Sequence, residues 1–243
     1  MSLKFNIRLI CSGFIFSLII NYTSIAQNSS FELWPEADIW YRINPSWRLS
    51  SFIPFTIYYP SGNTDLNIYV QADYAWGRTK HVYFARLVDQ SRAQLLKAWM
   101  VRGGFMEGRS LGENAGTYTE QMLYAELHRR IPLGDKFLLS QRLRTDLRWV
   151  GQDPEFSYKI RFRAMLEKEI TSGNFSSVPY VNAELYWDSR YSIIISRFRV
   201  AAGSTLSWGP YFAIEGNITY QYDSNYYAQN LYALNLILHV FFE

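Results

Sequence analysis

Apolar residues recur at every second position through most of this chain. From 136 to 149, Phe137, Leu139, Leu143, Leu147 and Trp149 alternate with Lys136, Ser140, Arg142, Arg144, Asp146 and Arg148. Successive side chains of a strand point to opposite faces, so this period predicts a two-faced sheet and argues against an amphipathic helix. The rule holds over 156–170, where Phe156, Tyr158, Ile160, Phe162, Ala164 and Leu166 oppose Lys159, Arg161, Arg163, Glu167 and Glu169. It continues through 179–188 with Glu184 and Asp188 on the polar side, 193–202 with Arg197 and Arg199, 211–222 with Glu215, and 231–242 with His239. In the first half, Glu32, Glu36, Asp38 and Arg42 oppose Leu33, Ala37, Ile39 and Tyr41, while Asn67, Gln71 and Asp73 oppose Leu66, Ile68, Val70 and Tyr74. Segments 47–58, 81–88, 94–105 and 117–131 bring the expectation to about 12 strands, and a helical insertion over 89–97 would leave ten.

Turn formers such as Asn44-Pro45-Ser46, Ser61-Gly62-Asn63, Ser172-Gly173-Asn174 and Asp223-Ser224-Asn225 separate the segments. The pattern predicts an all-β fold, a single up-and-down antiparallel transmembrane β-barrel. With both ends of the barrel chain on the periplasmic side, 106–116 is the longest connection and, as the fifth, faces outward, where longer loops are usual.

Alternation alone does not say which face is inside. A lipocalin-like soluble barrel turns Leu143, Leu147 and Trp149 inward around an apolar ligand, whereas a membrane barrel turns Arg142 and Arg144 inward. Composition favours the membrane. The chain has 19 Tyr, 16 Phe and 8 Trp, more rings than a soluble core needs, and they gather near segment ends, as with Trp149 and Phe156 or Trp187 and Tyr191. Rings at headgroup level form such girdles.

The N-terminus carries Lys4 and Arg8, an apolar run from Leu9 to Ile20, then small residues at Ser24 and Ala26. This is the order of a secretory signal peptide. Cleavage is expected after Ala26, leaving a barrel domain over 27–243 destined for the outer membrane of a gram-negative type cell. The run is short of the ~20 residues a spanning helix needs. Cys11 leaves with it, which removes disulfides, thiol catalysis and thiolate metal sites from the mature chain. Losing Lys4 and Arg8 leaves 22 basic against 21 acidic residues, a balance that argues against a nucleic-acid partner. The expected partners are outer-membrane lipid and, through the closing strand with Phe242, the outer-membrane assembly machinery. No cofactor is expected.

Gln141-Arg142-Leu143-Arg144, Arg161-Phe162-Arg163, Asn182-Ala183-Glu184-Leu185, Arg197-Phe198-Arg199 with Gly203, and the Tyr220-Gln221-Tyr222 and 231–242 strands resemble an outer-membrane β-barrel family. It is the one catalogued as domain of unknown function twenty-four-ninety. The resemblance covers about 120 residues well, and it implies fold and location but no activity.

The candidate chemistry lies in the lumen. Arg142, Arg144, Arg148, Arg161, Arg163, Arg197 and Arg199 share the polar face with Glu167, Glu184, Asp188 and Glu215. Planar guanidinium groups bind carboxylates through two bonds and stay charged when partly dehydrated. The set therefore reads either as a charge ladder filling a narrow barrel or as contacts for a passing anion. The functions expected are structural support or passive passage of small polar solutes. An envelope lipid-modifying enzyme and a soluble periplasmic barrel are the alternatives. No catalytic motif stands out; His128, on the polar face with Glu126 and Arg130, is a conceivable general base. Three scattered histidines give no metal signal.

Overall fold

The computed structural model describes residues 29–78, 97–111, 118–134, 137–172, 175–192, 195–208, 211–225 and 229–242. The expected signal peptide and the segment 81–88 lie outside them. The strands are β1 (Ser29–Arg42), β2 (Trp47–Tyr59), β3 (Thr64–Arg78), β4 (Lys97–Leu111), β5 (Thr119–Leu133), β6 (Phe137–Val150), β7 (Glu155–Lys168), β8 (Ile170–Ser172), β9 (Phe175–Asp188), β10 (Arg197–Trp208), β11 (Phe212–Asp223) and β12 (Asn230–Phe242). The short β8 prolongs β7 beyond Glu169, so the wall has eleven long strands. Neighbours in the chain pair antiparallel, and β12 closes onto β1 in parallel, Ser29 beside Asn230 through Tyr41 beside Phe242.

The count falls between the two expected from the sequence. β3 pairs with β4 from Thr64 beside Leu111 to Arg78 beside Lys97, so the wall closes without 81–88. Because the number is odd, β1 begins at one mouth and β12 ends at the other; these are called the N mouth and the C mouth. The arrangement with both ends on one side, and the outward facing derived from it, does not hold. Nor is 106–111 a loop. Met106, Gly108 and Ser110 continue the inner face of β4, and the polar Glu107 and Arg109 on its outer face had hidden the period. β10 also starts later than expected, at Arg197 rather than 193.

Register fixes the shape. The hydrogen-bonded row that leaves Ile43 passes through Trp47, Tyr74, Val101, Leu127, Leu143, Phe162, Leu185, Phe198, Tyr222 and Asn230 and re-enters β1 at Ser29, a stagger of 14 residues (43 to 29). With ~3.3 Å per residue and ~4.8 Å between strands, such a stagger tilts the strands by roughly 40° and closes a backbone circle about 22 Å across.

That row lies on the outer face and reads aromatic, aliphatic, aromatic from the C mouth to the N mouth. Trp47, Tyr74, Trp76 and Trp99 follow one another at the C mouth, with centroids 4.9, 5.8 and 6.4 Å apart, the first pair tilted and the other two stacked. At the N mouth Trp149 meets Phe156 at 5.6 Å, Tyr158 meets Trp187 at 5.1 Å and Tyr220 meets Tyr232 at 5.4 Å. Between them Leu143, Leu147, Val181, Ile218 and Leu236 are exposed. The barrel therefore wears its apolar residues outside, and the lipocalin-like arrangement is not the one adopted.

Inside, small residues make room for large ones. A Cβ on Gly104 of β4 would come within 2.5 Å of the Tyr124 hydroxyl and 2.8 Å of Gln71 Cβ, because the Tyr124 ring lies over the glycine and donates its hydroxyl hydrogen to Gln71 Oε1. Gly104→Ala is expected to destabilise the barrel by about 1–3 kcal/mol through overpacking. Its urea midpoint in detergent, read by tryptophan fluorescence, checks this; an unchanged midpoint would mean that the ring is free to move.

Candidate functional site: the charged lumen

The row next to the apolar one faces inward, and it is a spiral of charge. Starting at Arg48 on β2, it runs through Asp73, Arg102, Glu126, Arg144, Arg161, Tyr186 and Arg197 to Asp223 on β11. Neighbours in a row face each other across adjacent strands, which is the geometry for cross-strand ion pairs. The stagger carries the row from the C mouth to the N mouth, so one chain of contacts ties nearly the whole wall together.

The links are short and largely buried. Arg48 Nη2 donates to Asp73 Oδ2 at 3.0 Å, and Arg102 clamps the same carboxylate through Nε at 2.6 Å and Nη2 at 3.1 Å. Arg102 also reaches Glu126 at 3.3 Å. Glu126, 4% exposed, is the hub: Arg144 Nη1 donates to it at 2.9 Å, Arg142 Nη1 at 3.4 Å, and His128 Nε2 lies at 2.7 Å. Asp146, fully buried, takes Arg144 Nε at 2.5 Å and Arg161 Nε at 2.7 Å. Toward the N mouth, Arg161 and Arg197 lie over the two sides of the row at Tyr186, each about 5.5 Å from its ring (5.5 and 5.6 Å), and Arg197 Nε donates to Asp223 at 2.7 Å. Charge-assisted pairs of this kind are the stronger hydrogen bonds, and a buried carboxylate with three guanidinium partners has its desolvation compensated.

The remaining expected residues fall around this spiral. Arg142 Nη2 donates to Glu184 Oε1 at 2.6 Å, and the Tyr186 hydroxyl donates to the other oxygen of Glu184 at 2.6 Å. Arg148 binds Glu120 through Nε at 2.5 Å and Nη2 at 2.7 Å and approaches Asp188 at 3.5 Å. Arg199 donates to Gln221 at 2.6 Å and lies over Trp34 at 4.9 Å. Glu167 accepts from Ser140 at 3.0 Å. Among the described residues Glu215 pairs with no arginine; it takes the Tyr180 hydroxyl, Thr205 at 3.1 Å and His239 Nε2 at 3.4 Å, while Asp38 holds the other side of His239 at 3.1 Å. Arg163 stands apart, with no hydrogen bond or ion pair among the described residues.

Several partners were not among the expected site residues. Glu126, Glu120, Asp146 and Asp73 lie on the polar face of the sequence pattern, which names no partner for them, and Asp223 opens a turn-like Asp-Ser-Asn stretch. Arg48 and Arg102 were not singled out. Hairpin register would have found them, because each loop fixes which residues face across it.

The spiral encloses a polar cavity of about 570 Å³. Its lining includes Glu120, Arg148 and Arg197 near the N mouth and Trp40, Met100 and Arg130 toward the C mouth. Trp40, Ala75, Met100, Leu138, Val178, Ala213 and Phe241 are all buried in one layer near the C mouth. Trp40, Ala213 and Phe241 pack together with Phe52 against them, and Arg48 and Arg102 lie over the Trp40 ring at 5.4 and 5.6 Å. Arg48, Arg130 and Glu167 are buried with them, so the layer toward the C mouth mixes apolar and charged side chains below the cavity. Among the described residues no His/Cys/Asp/Glu group has the spacing of a metal site. His128 lines the cavity and is engaged by Glu126.

No protein-family model matches the sequence, and no curated protein matches it either. A solved structure described as a bacterial polysaccharide outer membrane secretin is similar in chain path, with a TM-score of 0.46 at 10% identity. The alignment covers 81% of this chain and 64% of that one, under two thirds of its length.

Proposed function

We propose that the protein is an integral outer-membrane β-barrel whose charge spiral is the scaffold of a narrow lumen. The observation that carries this reading is the exterior. Leucines, isoleucines, valines and phenylalanines on successive outer rows are exposed around the wall, bounded at both mouths by aromatic ring pairs. Soluble monomers rarely expose a contiguous apolar patch beyond a few hundred Å². A closed barrel satisfies its backbone groups within the wall and can place such a surface in lipid. The export signal expected over 1–26 and the resemblance of the arginine motifs to an outer-membrane barrel family agree with this location.

Within that setting the lumen supports a structural role over an open pore. Most of its arginines are held by carboxylates, and the layer of side chains at the C mouth is buried. Purified protein in planar bilayers is expected to show no conductance steps. The cavity favours a second reading, slow passage of small anions, and anion-selective steps that shrink in Arg163→Gln would establish it instead.

A further inference from the structure

We infer that the lumen is a cup, floored near the C mouth, that binds a small oxyanion on Arg163 and Arg142. The inference rests on the membrane-barrel reading, which makes the lumen a compartment separate from lipid.

The argument begins with the row that holds Arg163. Reading across β5, β6, β7, β9 and β10, this row places His128, Arg142, Arg163, Glu184 and Arg199 side by side. It therefore carries three guanidinium groups and one carboxylate. Glu184 stands directly across from Arg163, but its oxygens are occupied: Arg142 reaches past Arg163 to take Oε1, and Tyr186 takes Oε2. The other nearby carboxylate, Glu126, already serves Arg102, Arg144, Arg142 and His128. Arg199 spends its donors on the neutral Gln221. Arg163 is left lining the cavity with no hydrogen-bonding partner among the described residues, and the buried Nε of Arg142 has none either. Elsewhere in the lumen Arg48, Arg102, Arg144, Arg148, Arg161 and Arg197 are matched to carboxylates; here the row has a surplus of positive charge facing hollow space.

The opposite wall gives the cavity a direction. Across the six steps from β1 to β7 the stagger amounts to about eight residues. Traced back through Arg142, His128, Met100 and Ala75, the row of Arg163 reaches the turn after β1, about eight residues past Glu36. Glu36 therefore stands level with Arg163 on the far side, in an acidic group with Asp38 and Glu215. An anion entering the cup is repelled from β1 and drawn to β6 and β7. Two guanidinium forks suit a carboxylate or a phosphate, each of which offers paired oxygens.

The test uses the full barrel in detergent micelles at low ionic strength, where screening is weak. Isothermal titration with inorganic phosphate, and separately with succinate, is expected to show one saturable site; whichever anion binds tighter identifies the source chemistry. Arg163→Gln should weaken binding at least tenfold while leaving the fold intact, because no hydrogen bond or ion pair among the described residues depends on this side chain. Arg163→Lys should retain part of the affinity, and Glu36→Gln should bind as tightly as the parent or more so. Failure of both anions to saturate the parent, or equal affinity in Arg163→Gln, overturns the site. Heat-modifiable migration of the same samples keeps the two readings apart. A barrel that migrates as folded yet ignores both anions refutes only the site, whereas a chain recovered in soluble form without detergent refutes the membrane reading.

Discussion

Glu126→Ala is expected to lose several kcal/mol of stability and to fail to accumulate as a folded, heat-modifiable barrel. The carboxylate is almost wholly buried on β5 and receives Arg102 from β4 and both Arg142 and Arg144 from β6, with His128 beside it. Its removal strands guanidinium groups that have no other route to full compensation. Arg102 keeps Asp73, Arg144 keeps Asp146 and Arg142 keeps Glu184, but the charge balance of the spiral is broken at its centre. Breaking a buried pair from one side typically costs about 3–5 kcal/mol. Glu126→Gln, which keeps the shape and one acceptor, should lie between the parent and the alanine variant. Urea unfolding in micelles followed by tryptophan fluorescence gives the order; equal midpoints for all three would mean that lumen water, not Glu126, solvates these arginines.

The second large effect lies one residue away in register and on the other side of the wall. Leu143 is 48% exposed, at mid-height on the outer face of β6, between the inward Arg142 and Arg144. Leu143→Arg should destabilise the barrel in lipid vesicles by about 2–4 kcal/mol, the cost of a cation near the bilayer midplane. On a water-facing surface the same change is usually within about 0.5 kcal/mol of neutral. Comparing unfolding in vesicles therefore reads out what the outer face touches. A stability equal to that of the parent would sink the lipid-facing assignment, however apolar the exterior.

Much of this architecture was legible in the chain. The inward set of Arg142, Arg144 and Arg148 and the outward set of Leu143, Leu147 and Trp149 follow from strand geometry, and the tertiary structure keeps every one of them on its expected side. The same holds for β7, β9, β11 and β12. Where the period was masked, the reading failed for identifiable reasons. Glu107 and Arg109 put polar residues on the outer face of β4 and made 106–111 look like a loop. Asp223, in a turn-like Asp-Ser-Asn stretch, is the last residue of β11 and the partner of Arg197.

What the sequence could not tell was which charges meet. Arg148 might have paired with any acid on its face, yet it binds Glu120, one strand away and two residues along β5 from its direct neighbour Met122. Arg142 ignores the arginine beside it and draws on Glu126 from the adjacent β5 and on Glu184 from β9, one strand beyond β7. These choices depend on hairpin register and on the 14-residue stagger at which β12 meets β1, quantities that belong to the closed barrel rather than to any one strand.

Side-chain parity is a local property of an extended backbone, and so the sequence alone determined an arginine face and a lipid-compatible face in strict alternation. Stagger is a condition of closure, met only when eleven strands share one wall. Tertiary structure alone therefore decided that the arginines form a compensated spiral, that a layer of buried side chains lies at one mouth, and that Arg163 faces the cavity without a hydrogen bond or ion pair among the described residues.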